Sequence, residues 1–126
     1  MESFTIRTSR KVEVLDITSE VSKRMKGGSL CVLFTPHTTA ALTVNEFEPL
    51  LKSDLERFYS STIPEKNWKH NSIDNNAEAH LLSSIIKPSV AIPVKGGSLS
   101  LGTWQKILFI ELDGPRTRTV HMQVLE

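Results

Sequence analysis

The sequence is first informative for what it lacks. It has a single cysteine, Cys31, so no intramolecular disulfide and no CxxC metal pair can form. Cys31 sits within the apolar run SLCVLFT, where it reads as a small buried side chain rather than a catalytic thiol. Neither sign of charge is in excess: 15 Lys and Arg stand against 14 Asp and Glu, a formal net charge of +1. That balance supplies no overall field to draw nucleic acid or a membrane surface. Nor is there a basic stripe interleaved with aromatics, the footprint of a nucleic-acid binder. No apolar run approaches the roughly 18–20 residues of a membrane span. The N-terminal stretch MESFTIRTSRKVEV has no apolar core of the secretory type. The expectation is a cytoplasmic protein with neither nucleic acid nor membrane as partner. Walker, GxGxxG, HxH and HExxH patterns are missing as well.

What is present is the patterning of one domain. The 126 residues suffice for a single domain spanning 1–126 with a real core, and no repeat, low-complexity segment or linker divides them. Residues 3–7 and 12–16 alternate apolar and polar, the period of half-buried strands. Asp16 or Thr18 is placed to cap a helix, with Glu20 in its first turn and Ile17, Val21 and Met25 as its apolar stripe. Gly27-Gly28 ends that helix. Residues 30–35 read as a central strand and 41–44 as a short one. Glu48-Pro49 opens a second helix, with Leu51, Leu55, Phe58 and Tyr59 as its buried face. Residues 60–76 make a polar loop, and loops of such length are often functional. A third helix covers 77–86. Strands over 90–94 and 99–101 turn at Gly96-Gly97, and strands over 106–112 and 117–124 turn at Asp113-Gly114-Pro115-Arg116. This order predicts an α+β fold: a mixed or mostly antiparallel sheet, or two packed sheets, with about three helices on one side.

Several groups have chemical potential. His37 ends a strand, His70 lies in the long loop, and His80 follows Asn76 by one helical turn, so those two side chains share a face. His121 alternates within the last strand and faces solvent or a sheet neighbour. Each histidine has a structural reading, as a hydrogen-bonded residue, and a functional one. Asn45 and Glu46 form either a cap for the next helix or the amide and carboxylate of a pocket rim. Glu78, in the first turn of its helix, offsets the helix dipole. Glu111 and Asp113 share a side of the pleat and repel unless a cation or an arginine neutralises them; Arg116 and Arg118 follow within reach. The alternative is a surface charge cluster. Trp104, in the break Gly102-Thr103-Trp104-Gln105, is expected in the core. Arginines and helix starts are both suited to phosphate. Spacing alone describes a small α+β domain with a polar, histidine-containing cleft.

Three blocks, PHTTAALTVNE, NAEAHLLSSI and GTWQKILFIELDGPRTR, stand in this order. Together they resemble the YjbQ family of small proteins, over roughly residues 3–125. Family members are often labelled secondary thiamine-phosphate synthase. The resemblance implies an α+β fold with a mixed sheet, and a homotrimer. It carries the family's histidine block onto His37, Thr38 and Thr39, and its asparagine-glutamate pair onto Asn45 and Glu46. It carries a loop histidine onto His70, and the helix block onto Asn76, Glu78 and His80, with Glu78 where aspartate is common. The remaining motifs fall on Gly102 to Gln105 and on Glu111, Asp113 and Arg116.

The resemblance further implies that His37, His70 and His80 converge with Glu46 on one cavity, to hold a metal or to act as acid–base groups. For a thiamine-phosphate synthase, a transferase joining an aminopyrimidine pyrophosphate to a thiazole phosphate, Arg116 would hold the departing pyrophosphate with Arg118 and Mg²⁺. His37 or His80 would move a proton. Asn45 and Gln105 would orient the pyrimidine, with Thr39 and Asn76 also in contact with substrate. Two further readings stand beside it. One is a hydrolase using Zn²⁺ or a similar metal; the other is a non-enzymatic trimeric binder of a small anionic, phosphorylated metabolite.

Overall fold

The computed structural model covers residues 1–126, and its strands sort apolar side chains by face as the period-two pattern requires. In β1 (Glu2–Arg7) Phe4 and Ile6 are buried between exposed neighbours. The other strands are β2 (Glu13–Asp16), β3 (Leu30–Phe34), β4 (Ala40–Asn45), β5 (Ser89–Lys95), β6 (Ser98–Leu99), β7 (Lys106–Glu111) and β8 (Thr117–Leu125). They form a five-stranded sheet in the order β1-β8-β3-β5-β6 and a three-stranded sheet in the order β2-β7-β4. Every pairing is antiparallel. The helices are α1 (Thr18–Ser22), α2 (Pro49–Ser61) and α3 (Ala77–Ile86). The α+β class with largely antiparallel sheets is therefore as the sequence predicts.

Strand β7 explains the layering. Between Lys106 and Glu111 its sequence, ILFI, is an unbroken apolar run because both of its faces are covered. Ile107 and Phe109 join the core between the two sheets, with Phe4, Leu33, Leu42, Val120 and Met122. Leu108 and Ile110 join a second core on the other face, with Val14, Ala41 and the α3 residues Ala79 and Leu82. Each fully buried side chain of this size contributes about 1.5–3 kcal/mol. Alanine at positions 41 and 79 leaves little side-chain bulk between α3 and β4, which pack together. Both α3 and α2 lie against the small sheet, α2 touching β2, and α1 supplies Ile17 and Val21 to the inter-sheet core.

Several local expectations are corrected. Helix α1 stops at Ser22, short of Gly27. Asp16 does not cap it in the ordinary way; its Oδ1 accepts from the N–H and hydroxyl of Thr18 at 2.9 and 2.6 Å. The cap of α2 is Glu48, whose carboxylate accepts from the N–H groups of Leu50 and Leu51, and not Asn45. In α2 Leu55 and Tyr59 pack against the second core, but Phe58 is 59% exposed. Trp104 is 72% exposed rather than in the core. The 60–76 loop contains a 3-10 helix over Lys69–Ser72. The Gly96-Gly97 hairpin is as expected: both residues have positive φ, +59° and +77°, as a two-residue turn demands.

The two aromatic placements give opposite expectations. Phe109→Ala should destabilise the fold by about 3–5 kcal/mol, whereas Trp104→Ala should stay within about 0.5 kcal/mol of the parent. Urea unfolding of both variants measures this, and a Trp104→Ala loss as large as that of Phe109→Ala would refute the placement of Trp104.

Candidate functional site

The strongest polar feature lies where β7 ends and β8 begins. Glu111 and Arg118 are 0% and 3% exposed and form a direct ion pair. Arg118 Nε donates to Glu111 Oε1 at 2.9 Å, and its Nη2 donates to Thr39 Oγ1 at 2.9 Å and to the Thr39 carbonyl at 3.2 Å. Glu111 also accepts from the Thr8 hydroxyl at 2.7 Å and from the Asp113 N–H at 3.0 Å. Asp113 in turn is held by Arg116 Nη2 at 3.0 Å and by Asn76 Nδ2 at 2.9 Å. The two carboxylates that would repel each other are thus each given an arginine. Gly114 permits the turn, since a Cβ there would lie 2.8 Å from both the Glu111 side chain and the Thr8 hydroxyl.

Histidine 37 stands beside this pair. Its Nε2 accepts the backbone N–H of Thr119 at 2.9 Å, which fixes the neutral tautomer with the proton on Nδ1. Burial lowers its pKa below the ordinary 6.5, and the positive charges of Arg118 and Arg116 press it the same way, against a smaller opposing pull from Glu111. Ser83 Oγ donates to the Thr38 carbonyl at 2.6 Å, tying α3 to the loop that carries His37. His37 and His80 consequently line one pocket with Thr38, Ala40, Ser83, Ser84 and Pro88. His70 meets His80 edge-on, ring centroids 4.7 Å apart, and its Nε2 is buried without a hydrogen-bond partner.

The remaining sequence candidates are elsewhere. Asn45 ends β4 and Glu46 follows it, at the end away from His37, about 3.3 Å per residue along a six-residue strand. Glu46 lines a separate pocket with Phe47, Glu48, Thr103, Trp104 and Lys106. Gln105 is exposed, its Oε1 accepting from the Gly102 N–H at 2.8 Å. Arg116 lines a wholly polar pocket with Asp74, Asn75, Asn76 and Asp113. Thr39 and Arg118 are buried and hydrogen-bonded to each other, so within one chain they shape the site rather than meet a ligand. Thr8 and Ser83 were not foreseen: Thr8 lies 103 positions from Glu111 and Ser83 lies 45 from Thr38, and no local pattern reports such partners.

The expected four-ligand metal set does not fit this geometry. His37 has its Nε2 lone pair engaged by Thr119 and its proton on Nδ1, so neither nitrogen is free for a metal. Glu46 lies at the far end of β4. No group of three or more His, Cys, Asp or Glu gathers closely enough to hold a metal ion. The arrangement can instead donate a hydrogen bond to an anion: the Nδ1–H of a neutral imidazole at a pocket wall, with arginine charge behind it.

Two measurements follow. Glu111 has its pKa raised by burial, but Arg118, the Thr8 hydroxyl and the Asp113 N–H together hold it below the ordinary 4.5. Its stabilising contribution is therefore complete above 4.5 and lost as pH falls through its lower native value; that of neutral His37 is lost as pH falls below 6.5. NMR titration should find His37 titrating below 6.5 as the Nδ1–H tautomer; an Nε2–H signal would refute the assignment. Truncating one member of the buried pair, Arg118→Ala, should cost about 3–5 kcal/mol in thermal or urea unfolding.

Comparison with known proteins agrees with this architecture. The family described as UPF0047 protein YjbQ-like matches residues 2–126. A UPF0047 protein of Archaeoglobus fulgidus is 45% identical over 97% of this chain and 98% of its own. The UPF0047 protein YugU of Bacillus subtilis is 35% identical over 99% and 98%. Among solved structures, a hypothetical protein from Aeropyrum pernix K1 superposes with a TM-score of 0.92 at 50% identity, covering 98% of this chain and 96% of that one. A YbjQ-like protein of unknown function from Sulfolobus solfataricus P2 gives 0.89 at 38% identity, covering 98% and 94%. The three sequence blocks, the paired sheets and these relatives lead to one conclusion: the chain belongs to the YjbQ-like UPF0047 family.

Proposed function

We propose that this protein is a transferase acting on a small phosphorylated metabolite, with the His37–His80 pocket as its site and thiamine-phosphate formation as its candidate reaction. The observation that carries the reading is His37: a neutral imidazole on a pocket wall, in the positive field of Arg118 and Arg116. Such a field draws a phosphate or pyrophosphate and favours the negative charge that grows on a departing group. A neutral histidine with its proton on Nδ1 can donate that N–H as a hydrogen bond to a leaving oxygen without giving the proton up.

In this reaction the bond between the pyrimidine methylene and the pyrophosphate oxygen breaks, and the thiazole nitrogen forms the new bond to that carbon. Pyrophosphate leaves. Arg116, half tied to Asp113 and otherwise exposed, is the residue of this chain suited to hold it, and His37 or His80 the group to donate a hydrogen bond to it. Arg118 acts at a distance, through its charge on His37. The protein is proposed to work as a homotrimer, in which the Glu46 and Gln105 end of a neighbouring copy is available to the pocket. Mg²⁺, where used, would enter with the pyrophosphate, which supplies the oxygen ligands it prefers. The hydrolase reading, with Zn²⁺ on the histidines, is disfavoured by the tautomer of His37.

A second reading, a binder of the same class of metabolite without turnover, is favoured by one observation. The arginines are largely committed to internal carboxylates, leaving no dense phosphate cradle. An assay of thiamine-phosphate formation with added Mg²⁺, beside His37→Gln and Arg116→Ala, separates the two. The synthase reading expects wild-type turnover, a fall of about 10²–10³ in kcat for His37→Gln, which lacks the Nδ1–H donor, and a raised KM for Arg116→Ala. Saturable binding of the thiazole phosphate with no turnover would establish the binder; neither binding nor turnover would overturn both readings.

A further inference from the structure

A second cavity lies across α3 from the histidine pocket. Helix α3 presents His80, Ser83 and Ser84 to the histidine side, and Glu78, Ala79 and Leu82 to the other. The cavity on that other side is about 240 Å³, many times the about 10–15 Å³ that a single water needs. Its floor is apolar, built by Val12, Ile63, Ala79, Leu82 and Leu112, with Tyr59 on one wall. Its polar groups are Lys11, Ser60, Glu65, Glu78, Asn75 and Asn76. An apolar floor with a few convergent polar groups is the usual make-up of a small-molecule site.

Three features say what chemistry it suits. The first is Asn76. Its Nδ2 must face the Asp113 carboxylate, to which it donates at 2.9 Å, so its Oδ1 is fixed as an acceptor. That Oδ1 is buried and has no donor, in a chain where almost every buried polar side-chain atom is satisfied. The second is charge: two carboxylates, Glu65 and Glu78, face one ammonium, Lys11. The third is availability. Lys11, Glu65 and Glu78 belong to none of the ion pairs of the chain, and the donors to Glu78 are uncharged, Asn71 Nδ2 at 3.0 Å and its own backbone N–H.

We propose that this cavity binds a small apolar molecule bearing a protonated amine. The apolar body lies on the floor between Tyr59 and Leu82, and the ammonium is held by Glu65 and Glu78, with Asn76 Oδ1 as the acceptor at the inner wall. The site is separate from the histidine pocket and does not depend on the reaction proposed there.

Benzylamine is a suitable probe, with phenylacetate and benzyl alcohol as the anionic and neutral counterparts of similar size. Backbone-amide NMR of the full chain should show saturable benzylamine shifts clustered at Val12, Tyr59, Ala79, Leu82 and Leu112. Phenylacetate should bind at least fivefold more weakly, and Glu65→Gln should raise the benzylamine Kd at least fivefold. Ala79→Leu should abolish binding by filling the space. Glu65 is exposed, so its variant keeps the test sound if the Ala79 variant fails to fold. Shifts that do not saturate, that cluster at Thr38 and Ser83 instead, or that are equal for phenylacetate would overturn the proposal.

Discussion

The pair Glu111–Arg118 occupies the corner at which the chain passes between its two sheets. Glu111 closes β7 in the smaller sheet, and Arg118 belongs to β8 in the larger. Thr8 sits on the crossing from β1 to β2, and Thr39 on the crossing from β3 to β4. All three crossings are therefore tied to one ion pair by hydrogen bonds of 2.7–2.9 Å. Two charges removed from water carry a large desolvation penalty, which their mutual attraction offsets only when the remaining donors and acceptors are also satisfied. Here the partners come from three stretches of the chain, at Thr8, at Thr39 and over 111–118. Such an arrangement contributes relative sheet geometry more than net stability, since any slip of one crossing would leave a buried charge short of a partner.

The site inherits its properties from that corner. Thr119, the residue after Arg118, donates its N–H to His37, so the strand that positions the arginine also sets the imidazole tautomer. The same Arg118 charge then opposes protonation of His37. Helix α3 completes the arrangement through Ser83, which holds the Thr38 carbonyl at 2.6 Å. Asn76, at the start of the same helix, reaches Asp113 on the turn. A helix fixed at both ends in this way is a rigid wall, with one pocket on each side.

What could be read from the sequence follows from the range of the interactions involved. The strand periodicity, the apolar run of β7 and the pairing of Glu111 and Asp113 with Arg118 and Arg116 are local, spanning seven residues or fewer, and were legible. The partners of Thr8 and Thr39 lie 103 and 79 positions away, and nothing in their neighbourhood announces them. Phe58 and Trp104 were misplaced for a different reason. Large apolar side chains favour the interior, but the rule runs one way, and much exposed surface is apolar. Motif resemblance gathered His37 and Glu46 into one site although a whole strand separates them in the folded chain.

That separation bears on what kind of chemistry the chain can support. A metal centre needs several lone pairs converging on one point, and the only imidazoles close together offer them poorly: His37 is committed to Thr119, and His70 meets His80 by its edge. Hydrogen bonding to an anion needs less. It requires one group whose neutral form is favoured, a fixed proton position and a nearby charge that responds to the substrate. An arriving phosphate would accept a hydrogen bond from the His37 Nδ1–H, which the Thr119 N–H on Nε2 fixes in place. The same phosphate beside an imidazole ligated to a metal would compete for the metal instead. The geometry of this corner thus suits a hydrogen bond donated to an anion better than metal-activated water, because the backbone has already assigned the histidine its proton.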